Sequence, residues 1–349
     1  MKKYMALVVF ALLLGTNAAQ AQRRYSVYGI GFYNLENLFD TCHDAGKNDY
    51  EYLPDGTNKW TGLKYSHKLK NMAKVLSEMG TDWLPGVGCA AIGVSEVENA
   101  KCLTDLCNQA PLKARNFKFV HIEGPDQRGV DCALVYNPSL FKVRSQQLVP
   151  YIYKLSKDAQ RATRGFLVVK GVLGGENVAI VVCHLPSRGA ESYYREEGGR
   201  QVKEVKERLQ KEDPNIKILI MGDMNDDPDD ESMAKQLGAR RKMKDVGEGD
   251  FYNPWWDILR GKGQGTLTYQ GAWNLFDQIV CSRNMLDIKG NKEYKELTLY
   301  GYHIFKRDYM IQQDGKYRGS PKRTFAGGVW LNGFSDHLPT VTYIVKAQN

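Results

Sequence analysis

Ile218-Leu219-Ile220-Met221-Gly222-Asp223-Met224-Asn225-Asp226-Asp227-Pro228 is the sharpest signal in the chain. A continuous apolar run ends at a glycine and gives way to an acidic, proline-containing loop, which marks the end of a buried strand. Side chains two apart in an extended backbone point the same way, so Asp223 and Asn225 project together from that end. There a carboxylate can take a proton from water while the neighbouring amide orients that water or a phosphate. An ordinary turn rich in Asp and Asn would look similar. The rest of the chain decides between the two.

Working outward, β-branched runs bounded by turn residues recur at 25–33, 91–97, 117–122, 130–136, 166–173, 178–185 and 216–221, then at 276–281, 299–305 and 339–345. Helical periodicity lies between them at 63–79, 104–108 and 193–209. Several consecutive strands are too close together for a crossover helix. The expectation is an α/β fold of antiparallel or mixed sheets with helices packed outside. No repeat, low-complexity tract or linker divides the chain, so one domain is expected over 22–349.

Five further segments place reactive side chains at strand ends. Gly333-Phe334-Ser335-Asp336-His337-Leu338-Pro339 precedes the last strand, where Asp336 and His337 can line a cleft and His337 can present a cation to a developing anionic oxygen. His184 closes the apolar run 178–183, and Ser187 and Arg188 follow as phosphate-compatible donors. Ser95-Glu96-Val97-Glu98-Asn99 puts a carboxylate where Mg²⁺, which takes few carboxylates and keeps several waters, could be held. Tyr33-Asn34-Leu35-Glu36-Asn37 follows the first strand. In Trp273-Asn274-Leu275-Phe276-Asp277-Gln278-Ile279-Val280 an acid interrupts an apolar strand pattern, and a buried Asp277 needs a partner such as a histidine. Each segment also has a plainer explanation, a hydrogen-bonded turn or a histidine satisfied in the core.

Composition narrows the class. The chain has 349 residues, 42% hydrophobic and 25% charged, which excludes disordered, collagenous and coiled-coil proteins. Lys2 and Lys3, a ten-residue apolar run and Ala19-Gln20-Ala21 have the layout of a secretory signal peptide over 1–21. The run is too short to span a bilayer, so no stable membrane anchor is expected. Export to the periplasm or the outside is. Removing that segment takes away two lysines and no acid, so the net charge falls from +8 to +6. Seven cysteines leave at least one unpaired. Cys132, Cys183 and Cys281 sit in strand-like runs as small hydrophobes, and Cys102 and Cys107 could form a local disulfide. No histidine lies at zinc spacing from any of them.

Taken in order, Asn34, Glu96, His184, Asp223-x-Asn225, Asp277 and Asp336-His337 resemble the motifs of the endonuclease/exonuclease/phosphatase superfamily. Its members include deoxyribonuclease I, abasic-site endonucleases, bacterial sphingomyelinases and inositol-polyphosphate phosphatases. The resemblance runs over about residues 25–345. It implies a four-layer α/β sandwich of two packed mixed or antiparallel sheets flanked by helices. It also implies roles. Glu96 would hold a divalent metal with Asn34 beside it, and Asp223 would activate the attacking water while Asn225 positions it or the phosphate. His337, oriented by Asp277, would stabilise the pentacovalent phosphorus, and Asp336 would support the water or a second metal. His184 would contact the phosphate and could protonate the leaving oxygen.

Departures from the family pattern bear on substrate. Ser95 stands where many relatives have Gln, His184 where abasic-site nucleases usually have Tyr, and Gln278 where inositol phosphatases typically have Arg. Arg128, in a turn before a strand, can contact a phosphate. The basic segment 315–323, with Tyr317, is either a solvated loop or a groove that tracks a phosphate backbone. Trp255-Trp256 fits a core or cleft rim better than a membrane-docking hairpin. The expectation is an exported monomeric phosphodiesterase using Mg²⁺ (or Mn²⁺), a nuclease acting on DNA or RNA. A phosphatase or phosphodiesterase for a small metabolite or phospholipid head group is the alternative. A non-catalytic binding module is disfavoured, because Glu96, Asp223, Asn225 and His337 are all retained.

Overall fold

Residues 218–221 feed two cores at once. Ile218 and Ile220 pack with Val202, Val205 and Leu209, whereas Leu219 and Met221 pack with Ile30, Phe32 and Leu134. A strand buried on both faces reads as an unbroken apolar run, and this is why alternation is missing from the sequence here. The computed structural model describes residues 24–154, 160–269 and 271–348, so the expected leader lies outside the described residues.

In chain order the strands are β1 (Tyr25–Leu38), β2 (Cys89–Val97), β3 (Lys118–His121), β4 (Asp131–Tyr136), β5 (Phe141–Lys154), β6 (Gln160–Leu173), β7 (Glu176–His184) and β8 (Lys217–Asp223). Then come β9 (Ala239–Arg240), β10 (Phe251–Tyr252), β11 (Leu267–Tyr269), β12 (Ala272–Asn274), β13 (Asp277–Ser282), β14 (Thr298–Ile304), β15 (Phe325–Ala326), β16 (Val329–Trp330) and β17 (Thr340–Ala347). The helices are α1 (Gly62–Glu78), α2 (Ala100–Cys107), α3 (Ala110–Lys113) and α4 (Ser192–Glu212). One sheet has the order β14-β17-β1-β2-β4-β3 and the other β5-β6-β7-β8-β13-β10-β9.

Both sheets are mixed; in each, one parallel pair is joined through a long helix, and the second sheet has a further short parallel pair, β9 with β10. β1 and β2 run parallel across α1, and β7 and β8 run parallel across α4. Such a crossover brings the carboxyl ends of both strands to one edge. The inner faces share a core that includes Ile30, Phe32, Leu134, Val169, Ile180, Met221 and Ile344. The outer face of the first sheet is covered by α1 and α2, and that of the second by α4. The result is the four-layer α/β sandwich that the resemblance implied. Gly93 lies where the sheets approach closely, since a Cβ there would meet Met221 Sδ at 2.6 Å.

Three expectations are corrected. β5 was not anticipated and β6 starts earlier than expected, because β5 is an edge strand whose Lys142, Arg144, Ser145, Gln146 and Gln147 break the apolar pattern. The helix expected at 104–108 starts at Ala100, where the Asn99 side chain accepts from Cys102 N and caps it. Cys102 and Cys107 are unpaired, as are all seven cysteines. Trp255 is fully buried and donates from Nε1 to the Ile279 carbonyl at 2.9 Å, so it belongs to the core.

Candidate active site

The carboxyl ends of the two helix-joined parallel pairs meet where the sheets face each other. Asn34 ends the regular part of β1 opposite Ser95, one residue before Glu96. On the second sheet His184, Asp223 and Asp277 lie side by side on three adjacent strands, His184 in register with Asp223 and Asp223 with Asp277. The backbone leaves these strands abruptly. Glu36, Asn37, Glu96 and Asn225 have φ of 48°, 57°, 59° and 51°, a left-handed conformation that costs non-glycine residues energy.

Asp223 is the hub. It is 2% exposed, accepts from Asn34 Nδ2 at 2.9 Å on Oδ2 and from Asn225 N at 3.0 Å on Oδ1. Burial, reinforced by the neighbouring Asp277 and opposed by His337 and these hydrogen bonds, pushes its carboxyl up to about 7. A carboxylate tuned to that range can accept a proton from water near neutral pH. Asn225 donates from Nδ2 to the Leu185 carbonyl at 2.9 Å, which leaves its amide oxygen for a water.

Two histidines flank this acid. His337 Nδ1 lies 2.7 Å from Asp277 Oδ2, and Nε2 lies 3.8 Å from Asp223 Oδ2 and 3.9 Å from Asp336 Oδ1. Burial alone would lower its pKa, but the Asp277 and Asp223 carboxylates hold it well above the ordinary histidine range. His184 Nε2 is 3.6 Å from Asp223 Oδ2 and 3.8 Å from Glu96 Oε1. Its Nδ1 faces Arg164 Nη1 at 3.4 Å. Burial first, then the Arg164, Arg128 and His337 cations, push His184 well below its ordinary range. A guanidinium has no acceptor, so the hydrogen-bond network assigns the proton of neutral His184 to Nε2, facing the acids. Such a ring donates a hydrogen bond to a phosphate more readily than it delivers a proton.

The remaining expected residues are distributed unevenly. Glu96 Oε2 accepts from Asn37 N at 3.0 Å, and Oε1 lies 4.0 Å from half-exposed Arg128, whose Nη2 donates to Asn37 Oδ1. Asp336 is gripped by Arg323 at 2.6 Å. Arg188 is not held open for a phosphate: it donates to Asp230 Oδ2 at 2.6 Å and to the Asn225 carbonyl at 3.2 Å, and lies over the Phe276 ring. Ser187 is exposed, and its carbonyl accepts from Arg195. Gln278 is buried and donates to the Asp226 and Leu275 carbonyls, a structural role.

Sequence inspection overlooked Arg164, Glu36 and Lys68. Glu36 lay within a quoted segment, and an acid between Leu35 and Leu38 was the available signal. Arg164 and Lys68 carry no local signal, since their partners lie 20 and more than 250 residues away.

A family model for the Endonuclease/Exonuclease/phosphatase family matches residues 29–346. The chain belongs to this family. Its members are metal-dependent phosphoric ester hydrolases, and this chain is an enzyme of that class. No curated protein matches it in sequence. Among solved structures it is similar to a family protein from Bacteroides thetaiotaomicron, at 13% identity and TM-score 0.55, over 93% of this chain and 97% of that one. It is also similar to D. rerio TDP2 complexed with single-strand DNA product (14%, TM-score 0.52, covering 91% and 99%). A third is a mannosyl-6-phosphatase from B. thetaiotaomicron (14%, TM-score 0.54, covering 91% and 99%). At these identities the likeness concerns the fold.

The donor set fits the divalent cation the family uses. Glu96 offers a carboxylate oxygen, Oε1, approached only loosely by His184 and Arg128, and on the adjacent strand the Asn34 amide oxygen accepts from Glu36 N at 2.9 Å and keeps one lone pair. Hard oxygen donors of this kind suit Mg²⁺ or Mn²⁺. When bound, the cation supplies charge neutralisation to the phosphoryl group. On the roles the resemblance implies, the chain would supply the rest: Asp223, fixed by the Asn34 amide, would receive the proton of the attacking water, and Asn225 would hold that water. His337, whose charged form Asp277 favours, would donate from Nε2 to the phosphoryl oxygen on which charge accumulates.

Proposed function

We propose that the chain is an exported phosphodiesterase that cleaves nucleic acid, DNA or RNA, with Mg²⁺ (or Mn²⁺). It acts as a monomer, with 22–349 as one domain after removal of 1–21. The observation that carries this reading is the cationic rim. Arg128 is about half exposed beside Glu96, and Lys316, Tyr317 and Arg318 are exposed on the loop that leads into Arg323 at Asp336. One ester needs one phosphate contact; a rim of cations with a tyrosine among them suits a strand with further phosphates and bases. The fold shared with a TDP2 bound to single-strand DNA is in keeping with this. Among the described residues no helix is long and apolar enough to cross a membrane.

The second reading is a small phosphate ester. A cavity of about 90 Å³, lined by Leu267, Tyr317, Arg323, Leu331 and Asp336 among others, adjoins the site and would take one compact substituent. The mannosyl-6-phosphatase neighbour keeps that reading in view. Purified mature protein assayed with Mg²⁺ against plasmid DNA, RNA and small phosphate esters decides. For a nuclease, log affinity should fall with log salt by roughly 0.9 per duplex phosphate contacted, or 0.7 on single strands. Arg128→Ala and the Lys316→Ala/Arg318→Ala pair should flatten that slope. Turnover of a small ester with no nicking of plasmid and no cleavage of RNA refutes the nuclease reading.

A further inference from the structure

We propose that Arg323 is a phosphate-binding residue of the site, held in position by the buried Glu36–Lys68 pair. The proposal rests on the phosphoric ester chemistry of the site and is independent of whether the substrate is a nucleic acid.

Arg323 enters from the segment between β14 and β17. Its Nη2 donates to Asp336 Oδ2 at 2.6 Å and its Nε to Glu36 Oε1 at 3.3 Å. Two acids from different segments thus take one edge of the fork, while the side chain stays 46% exposed. A guanidinium carries five donors in fixed geometry, so the Nη1 edge still has donors for another anion. The arginine is also close to the reacting centre: Asp336, which it grips, has Oδ1 3.9 Å from His337 Nε2. A phosphate there faces the Asp223 and Asp336 carboxylates, with Asp277 buried behind the His337 ring, and needs cations on its other sides.

The anchor behind Arg323 is better built than a surface arginine requires. Glu36 is 6% exposed, and its Oε2 accepts from both the N–H and the hydroxyl of Thr324, at 2.7 and 2.8 Å. Lys68, on α1 and 2% exposed, donates from Nζ to the Thr324 hydroxyl at 2.7 Å and to the Phe334 carbonyl at 2.6 Å. Its Nζ is 3.9 Å from Glu36 Oε2. The Thr324 hydroxyl therefore donates to one member of the pair and accepts from the other. These bonds tie the end of β1 and α1 to residues 323–324 and to the loop carrying Asp336 and His337. Burying two charges is costly unless geometry and hydrogen bonds are satisfied, and here they fix the backbone next to Arg323. A donor placed before the reaction contributes most to charge stabilisation, because it need not reorganise.

The test uses inorganic phosphate binding, followed by calorimetry with Mg²⁺ present, and turnover of bis(4-nitrophenyl) phosphate. Arg323→Ala should weaken phosphate binding about tenfold or more and lower kcat by about 10²–10³, the usual worth of one such donor. Added guanidinium ion should restore part of that rate. Arg323→Lys should stay impaired, since a point-like ammonium does not bridge Glu36 and Asp336. Glu36→Gln with Lys68→Met removes both buried charges together; the double variant should fold, shown by a cooperative unfolding curve, yet bind phosphate several-fold more weakly. Phosphate binding unchanged in Arg323→Ala, or a loss that guanidinium does not relieve, would reduce Arg323 to a counter-ion of Asp336 and overturn the proposal. Full phosphate affinity in the double variant would overturn the positioning role. If the unaltered protein cuts no nucleic acid while its phosphate binding still depends on Arg323, the nuclease reading fails and this assignment stands.

Discussion

His184 and His337 approach the same oxygen, Asp223 Oδ2, at 3.6 and 3.8 Å, from opposite electrostatic surroundings. His337 rests on Asp277 and faces Asp223 and Asp336, so three carboxylates favour its charged form. His184 has Arg164 at its back and Arg128 nearby, and these cations join burial in favouring the neutral form. Residue type is shared, although His184 ends β7 and His337 lies in the loop before β17; the second layer differs. Imidazole chemistry is set by what stands behind the ring. The charged ring suits a developing anionic oxygen, and the neutral one suits a hydrogen bond to a phosphate already in place.

The largest test of this contrast is removal of the acids on the His337 side. Asp223→Asn should lose about 10²–10⁴-fold in rate, the usual worth of a general base, with metal affinity nearly unchanged. Asp277→Asn and His337→Ala should each cost orders of magnitude, and the double variant little more, because a charged histidine without its carboxylate is no longer the same group. Steady-state kinetics on one diester measure all four. Losses that simply add would mean that Asp277 and His337 act separately and that the contrast between the histidines is not a contrast of pairs.

A second, smaller effect separates the His184 side. If Glu96, beside His184, holds the cation as the resemblance implies, Glu96→Gln should weaken Mg²⁺ binding and be partly rescued by high Mn²⁺. Calorimetric metal titration of Glu96→Gln and Asp223→Asn gives the comparison. Metal binding lost in Asp223→Asn and kept in Glu96→Gln would reverse the two assignments.

Much of this arrangement was legible because strand ends are legible. Asp223, Asp277 and His184 each border or interrupt an apolar run, and the pairing of parallel and antiparallel neighbours then sets them side by side. What the sequence could not show was which partner claims a side chain. Arg188 was a reasonable phosphate donor by type and place, yet the acids of the 226–230 loop surround it. Glu36 depends on Thr324, 288 residues away, and no local pattern announces that bond. The edge strand β5 failed for a simpler reason, since strands open to solvent on one side lose the apolar run that marks those buried on both.

The smallest expected effect is on stability, and it tests the contrast without any substrate. A histidine whose folded pKa is lowered binds fewer protons folded than unfolded at acid pH, so His184 costs stability as pH falls below its unfolded value near 6.5. A histidine whose folded pKa is raised does the reverse. His337 contributes stability that is fully present below about 6.5 and is lost as pH rises through its raised folded value. Denaturant unfolding of metal-free protein between about pH 5 and 9, with His184→Gln and His337→Gln alongside, reads both signs. Relative to the unaltered chain, His184→Gln should gain stability as pH falls from 7 to 5. His337→Gln should show its largest deficit at the acid end, and the deficit should narrow above neutrality. Both substitutions remove one imidazole from beside the same carboxylate, so general loss of packing would displace the two curves in parallel. Parallel displacement would mean that the surrounding charges do not distinguish the rings; curves that diverge with opposite slopes require that they do.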